Sequence, residues 1–143
     1  MTKPKVAFIC THNSCRSQIA EALGRHLASD VFDSYSAGTA PKRTINPDAV
    51  RLVKERYGID VLANGQHNKA LTDLPQVDVV ITMGCGVQCP SLPAQMRQDW
   101  GLDDPTGLGD DKFNQVIDQL EERVKELKEA LQTTKLGSVK NVV

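Results

Sequence analysis

The sequence predicts an α/β protein in which strands and helices alternate around a parallel sheet. Two short apolar runs rich in β-forming residues, Lys5–Ile9 and Val77–Met83, have the composition of strands that are covered on both faces. Apolar residues recur at spacings of three and four from Asp110 to Gln132, which indicates a long amphipathic helix. The 143 residues contain no repeat or linker, so we expect a single catalytic domain.

The remaining elements follow in chain order. Apolar positions over Gln18–Leu27 indicate a first helix, and the alternating residues Phe32–Ser36 indicate a second strand. Asn46-Pro47-Asp48 has the composition of a helix start, and Gly58 ends that helix. Residues 133–143 are expected to form a loose tail.

Composition and charge exclude several classes of function. The 17 basic and 18 acidic residues nearly cancel, so no field of one sign is available to bind nucleic acid or an anionic membrane. The apolar runs are shorter than the about 20 residues that a membrane span needs, and the N-terminus lacks the apolar core of a signal peptide. We therefore expect a cytoplasmic protein, and the charged helix faces suggest a monomer.

The segment between the first strand and the first helix predicts an oxyanion site. In a parallel sheet ligands bind beyond the carboxyl ends of the strands, and a helix N-terminus attracts anions. A loop of this length can bring Arg16 back beside Cys10, so that the guanidinium binds two oxygens while the sulfur lies below the central atom. The residues predicted to bind substrate are Thr11, His12, Asn13, Ser14, Cys15, Arg16 and Ser17, with Cys10 as the nucleophile.

Individual roles within this loop follow from residue type. Asn13 is expected to brace the loop, and Ser17 to hydrogen-bond the thiolate or the leaving group. Cys15 is expected to pack as a small apolar residue, and His12 to lie near the mouth of the site. A Cys-x5-Arg pattern alone is weak, but its position between a strand and a helix makes it much more specific.

The octet resembles the phosphate-binding loop of the low-molecular-weight protein tyrosine phosphatase family. Ser36-Ala37-Gly38-Thr39 and Asp104-Pro105 resemble two further landmarks, and the resemblance runs from about Val6 to Leu131. It implies a three-layer sandwich with a four-stranded parallel sheet and helices on both faces, and it implies that Asp104 is the general acid. The family contains phosphotyrosine phosphatases and arsenate reductases that are coupled to thioredoxin.

Two cysteines after the third predicted strand favour the reductase. Reduction of As(V) to As(III) takes two electrons, which two thiols supply as they form a disulfide. Cys10, Cys85 and Cys89 provide an attacking, a resolving and an outgoing thiol, and a cysteine before Pro90 resembles the reductase branch. Only three residues separate Cys85 and Cys89, fewer than in the best-known reductases. The alternatives for this pair are buried thiols or a zinc site, which the few histidines disfavour.

The residues after the predicted acid also favour the reductase. Phosphotyrosine enzymes usually carry aromatic side chains there, whereas this chain has Thr106-Gly107. The prediction is an arsenate reductase that detoxifies arsenic, with no tightly bound cofactor and with a thioredoxin-type dithiol, or a low-molecular-weight thiol, as co-substrate. The alternatives are a phosphatase that works through a phosphocysteine and a non-catalytic module that binds oxyanions or senses redox state.

A monovalent cation site is a weaker expectation from the resemblance. Some reductases on this scaffold bind potassium through residues similar to Asn13, Glu21 and Ser36, together with an acidic residue. That acid is missing between Gln66 and Ala70, and Lys69 is the candidate to supply the positive charge instead.

Overall fold

The computed structural model describes residues 3–84 and 94–133. Within those residues the chain forms four strands, three α-helices and one short 3-10 helix: β1 (Lys5–Cys10), α1 (Arg16–Ala28), β2 (Asp33–Gly38), α2 (Pro47–Tyr57), the 3-10 helix (Leu71–Asp73), β3 (Val79–Thr82), β4 (Met96–Asp99) and α3 (Asp110–Thr133). The predicted thiols Cys85 and Cys89 lie outside the described residues, as does the expected tail beyond residue 133. No helix in the described ranges is long and apolar enough to cross a membrane.

The four strands form one parallel sheet with the order β2-β1-β3-β4. β1 lies inside the sheet, where Val6 is in register with Ser34 on one side and Val79 on the other. Because all four strands run in the same direction, their carboxyl ends meet at one edge. The predicted four-stranded parallel sheet is confirmed.

The two faces of the sheet are covered by different elements. Phe8 and Ile81 face a large core to which all three α-helices contribute apolar residues. Ile9 and Val80 face a smaller cluster on the other side, where Leu71 of the 3-10 helix packs. The three-layer α/β architecture is confirmed, and both faces of β1 are buried, as its continuous apolar run predicted.

The predicted ends of α2 are those of the structure. Asn46 Oδ1 accepts a hydrogen bond from Asp48 N at 2.8 Å, and Pro47 is the first helical residue. Gly58 ends the helix in a left-handed conformation with φ of 71°, which glycine adopts without steric cost.

β4 was not predicted from the residues themselves. Its sequence, Met-Arg-Gln-Asp, has no β-branched residue, and only Met96 is buried. The strand forms because its backbone pairs with β3 at the edge of the sheet, which a periodicity argument does not detect.

Candidate active site

The loop from β1 to α1 curls around the Cys10 sulfur. Asn13 adopts a left-handed backbone conformation with φ of 50°, which turns the chain back towards the end of the strand. Its N–H donates to Cys10 Sγ at 3.2 Å. The predicted nucleophile is thus buried, 4% exposed, beneath the turn of its own loop.

A second donor reaches the sulfur from α1. Ser17 Oγ lies 2.8 Å from Cys10 Sγ and accepts a hydrogen bond from Asn13 Nδ2 at 2.9 Å. Asn13 Nδ2 donates to the hydroxyl oxygen of Ser17, so the hydroxyl proton of Ser17 is available for a hydrogen bond to the sulfur. The sulfur of the predicted nucleophile is thus held by one contact from its own loop and one from the first turn of α1.

The outer carbonyls of the loop are held by the segment that precedes α2. Thr11 O, His12 O and Ser14 O accept from three backbone N–H groups at 2.8, 2.9 and 2.7 Å, those of Ala40, Lys42 and Asn46 respectively. A planar trans peptide points its C=O and the next N–H in opposite directions. The N–H groups of His12, Asn13 and Cys15 are therefore turned inward, and they form a concavity suited to an anion.

Glycine at position 38 allows the end of β2 to approach this loop. A Cβ there would lie 2.6 Å from Thr11 O and 2.9 Å from Asn13 N, both backbone atoms that cannot move aside. This close approach gives a physical reason for the glycine of the Ser36–Thr39 motif.

Asn13 is itself held by residues for which the sequence predicted no such hydrogen bonds. Its Oδ1 accepts from Gln18 Nε2 at 3.0 Å and from Lys69 N at 2.8 Å, and its carbonyl accepts from Asn68 Nδ2 at 3.0 Å. Gln18 lies in the run that predicted α1, and its amide is 1% exposed; a polar residue at a buried helix position needs hydrogen-bond partners, and this is the signal that could have indicated the network.

Arg16 connects three segments of the site. Its Nη1 donates to Met83 O at 2.6 Å and to Leu102 O at 2.7 Å, which join the end of β3 to the loop that carries Asp104. The sequence predicted Arg16 only as an oxyanion ligand. A guanidinium has five N–H donors, so the groups on Nε and Nη2 can serve an oxyanion while Nη1 serves the two carbonyls.

Asp104 lies between β4 and α3 and accepts two hydrogen bonds on one oxygen. Thr106 N and Thr106 Oγ1 both donate to Asp104 Oδ1, at 3.1 and 2.7 Å. Burial raises the pKa of Asp104, but the bonds from Thr106 and the charges of Arg16 and His12 outweigh it, and the pKa is lower than usual. The free protein therefore holds an ionised carboxylate, and the predicted acid role requires that it gain a proton during the reaction.

A neighbouring carboxylate fixes the start of the same loop. Asp99 Oδ1 accepts from Thr82 Oγ1 at 3.1 Å, Gly84 N at 2.7 Å and Gly101 N at 3.3 Å. These bonds connect the ends of β3 and β4 directly, at the edge where the anion loop also lies.

Cys15 is a buried thiol, as expected, and belongs to the main core. Burial raises its pKa well above the usual range, and the negative charge of Asp104 and the nearby Cys10 act in the same direction, while Arg16 and Thr106 oppose them. Cys15 is therefore a neutral thiol at neutral pH and does not compete with Cys10 as a nucleophile.

The Glu21 carboxylate is buried beside the loop, and two positively charged side chains lie next to it. Arg25 Nη2 lies 2.7 Å from Oε2, Lys69 Nζ lies 3.4 Å from Oε1, and Ser36 Oγ donates to Oε1. Lys69, which the sequence suggested as a source of positive charge near Asn13, thus lies beside the Glu21 carboxylate. In the described part of the chain, no group of three or more His, Cys, Asp or Glu side chains could hold a metal ion.

These features define a class of protein. The arrangement expected of a thiol-based site for a tetrahedral oxyanion is present: a cysteine at the end of a central parallel strand, inward N–H groups, an arginine and a nearby carboxylate. Residues 5–136 match the family described as low molecular weight phosphotyrosine protein phosphatase, and the chain belongs to that family.

Similar proteins include enzymes named for another reaction. The chain is 37% identical over 137 residues to arsenate reductase 1 of Staphylococcus haemolyticus, a match that covers 92% of this chain and 99% of that protein. A solved arsenate reductase in the phosphate binding state is 34% identical, with a TM-score of 0.80 over 92% of this chain and 99% of the other. A thioredoxin-dependent arsenate reductase of Corynebacterium glutamicum is 36% identical, with a TM-score of 0.74 over 92% of this chain and 63% of the other.

Proposed function

We propose that the protein reduces arsenate to arsenite with electrons from its own cysteine thiols. The observation that carries the proposal is the buried Cys10 sulfur, which lies within 3.2 Å of Asn13 N and within 2.8 Å of Ser17 Oγ, inside a loop of inward N–H groups. Relatives that match over nearly the whole chain and are named arsenate reductases support arsenate as the oxyanion. The reaction would detoxify arsenic.

In the first step Cys10 attacks arsenic. Hydrogen arsenate binds the inward N–H groups and the guanidinium of Arg16, which stabilise the charge on its oxygens. A sulfur–arsenic bond forms, one oxygen leaves as water, and the thiol proton ends on that water. Asp104 relays this proton, first as a base and then as an acid.

In the second step a thiol reduces the arsenic. Cys85 attacks Cys10, the sulfur–arsenic bond breaks, and its electron pair stays on arsenic, which becomes As(III) and leaves as arsenite. Cys89 then attacks Cys85, which frees Cys10 and leaves a Cys85–Cys89 disulfide. The roles of Cys85 and Cys89 are inferred from the sequence. Repeated turnover needs one thiol to resolve the Cys10 intermediate and a second thiol to move the disulfide to where an external dithiol can reduce it.

We propose a thioredoxin-type dithiol as the electron donor, with a low-molecular-weight thiol as the alternative. Exchange of that dithiol with the Cys85–Cys89 disulfide restores the enzyme. The thioredoxin-dependent structural neighbour supports this choice. The chemistry suits the cytoplasm, where thiols are kept reduced.

The test compares the two chemistries of the scaffold in one preparation. Arsenate-dependent oxidation of NADPH is measured with a thioredoxin system, beside hydrolysis of a generic aryl phosphate. The proposal predicts NADPH oxidation that saturates with arsenate and exceeds the rate of phosphate release. Efficient hydrolysis of the aryl phosphate without arsenate reduction would instead identify a phosphatase acting through a phosphocysteine.

Replacement of Cys89 should separate one turnover from many. Cys89→Ser should release one arsenite per enzyme and then stop with a Cys10–Cys85 disulfide, because the outgoing thiol is missing. Wild-type protein oxidised by arsenate should carry a Cys85–Cys89 disulfide instead. Mass spectrometry of the quenched and alkylated proteins identifies both states.

Hydrolysis of aryl phosphate is the internal control for this variant. Water resolves a phosphocysteine, so reduced Cys89→Ser should hydrolyse aryl phosphate at the wild-type rate. Continued cycling of Cys89→Ser with thioredoxin would disprove the three-thiol relay and favour an external resolving thiol.

A further inference from the structure

We infer that Thr106 is a positioning residue for Asp104, and that its two hydrogen bonds to Oδ1 make Oδ2 the oxygen that exchanges the proton with the bound oxyanion. The inference rests on the proposed function, because it takes Asp104 as the proton relay. Thr106 itself is not placed in contact with substrate.

The geometry assigns different roles to the two carboxylate oxygens. Thr106 Oγ1 lies 2.7 Å from Asp104 Oδ1, a short distance typical of a hydroxyl that donates to an ionised acceptor, and Thr106 N donates to the same atom at 3.1 Å. A proton on Oδ1 would face the backbone N–H, which can only donate. The proton that Asp104 gains must therefore be carried by Oδ2.

The other charged and titratable groups around Asp104 act differently. Arg16, from the start of α1, and His12, from the anion loop, lower the pKa of Asp104 through their charge. Cys15 lies close enough for the Asp104 charge to raise the pKa of its thiol. Arg16 and His12 act on the carboxylate through its total charge, whereas Thr106 donates to one oxygen and fixes its direction.

The effect of the Thr106 hydroxyl on Asp104 can be tested without disturbing the fold. Thr106 and Asp104 are exposed, and the loop between them is fixed by the buried ring of Pro105. A change of the Thr106 hydroxyl to a methyl group leaves the backbone N–H in place, and exposed substitutions of this kind usually have little effect on stability.

The experiment compares Thr106→Val with Thr106→Ser. Valine keeps the shape and loses the hydroxyl, whereas serine keeps the hydroxyl. We expect Thr106→Val to lower the single-turnover rate of arsenite release about tenfold at unchanged KM, well short of the roughly 10²–10⁴-fold that loss of an acid–base group costs in Asp104→Asn. Thr106→Ser should restore the rate to within about twofold of wild type.

Carbon-13 NMR of the aspartate carboxyl groups measures the effect of Thr106 on the titration of Asp104 in the absence of substrate. Asp104 should begin to gain its proton at higher pH in Thr106→Val than in wild type or Thr106→Ser, because the ionised form has lost a donor. Asp103 serves as the internal control, since Lys112 Nζ, 2.8 Å from its Oδ2, holds its pKa low independently of Thr106.

The results separate this inference from the proposed function. A wild-type protein that fails to reduce arsenate would disprove the function, and the titration with the aryl phosphate rates would still decide the role of Thr106. If Thr106→Val and Thr106→Ser have equal rates and equal Asp104 titrations, the positioning role is wrong. A loss in Thr106→Val that serine restores, together with the shifted titration, supports it.

Discussion

Cys10→Ser is expected to abolish arsenate reduction and any phosphate hydrolysis, because both reactions begin with attack by the same sulfur. A serine hydroxyl is a far weaker nucleophile than a cysteine thiol near neutral pH, and neither of its partners at this position, Asn13 N and Ser17 Oγ, is a base that could activate it. We expect a loss of at least about 10⁴-fold, measured as arsenite release in a single turnover and as aryl phosphate hydrolysis.

The control for this variant is a thiol replacement in the same loop. Cys15→Ser also removes a buried sulfur, but the raised pKa of Cys15 keeps that thiol neutral, so arsenite release should persist. The Cys10→Ser protein should still fold, since serine accepts the same two hydrogen bonds, and its thermal unfolding checks this. Turnover of either substrate by folded Cys10→Ser would show that another group is the nucleophile.

Arg16→Lys is expected to produce the second largest loss, roughly 10²–10³-fold in kcat, the usual effect of removing a preorganised donor to a developing oxyanion. Arg16 Nη1 bridges Met83 O and Leu102 O, and the remaining N–H groups are those available to the substrate. One ammonium group cannot serve both carbonyls and also bind two oxygens of the anion.

Arg51→Lys is the matched control for the loss of a guanidinium. Arg51 also uses its planar group in two hydrogen bonds to one carboxylate, that of Asp110, but it lies on α2 and is exposed. Its replacement should leave kcat unchanged. If Arg16→Lys retained near-normal rates, the guanidinium would not bind the oxyanion, and its contacts with Met83 and Leu102 would be its whole role.

The fold was predictable where local pattern and tertiary environment agree. Lys5–Ile9 and Val77–Met83 are short, near-continuous apolar runs, and the structure buries the strands within them on both faces. Asp110–Gln132 has a regular apolar stripe, and α3 ends one residue later. β4 was missed because edge pairing with β3 stabilises it, and its exposed Arg97, Gln98 and Asp99 have no strand pattern.

The active-site loop was predictable from its residue types, but its supports were not. Cysteine, arginine and a strand–loop–helix context specify the centre of the site. The bonds from Gln18, Asn68 and Lys69 to Asn13 cross between segments up to 56 residues apart, and no spacing rule indicates them. An Asp-Pro-Thr sequence could have indicated the turn that Thr106 makes with Asp104, since a side-chain bond to the backbone two residues on is common for aspartate.

The most direct test of the central claim counts thiols and arsenite in one mixture. Fully reduced protein is mixed with arsenate in the absence of any external reductant, and arsenite and free thiols are measured after quenching. If the cysteines supply the electrons, one arsenite per protein forms as two thiols disappear, and phosphate in place of arsenate consumes none. Loss of thiols without arsenite, or arsenite without loss of thiols, would contradict the account.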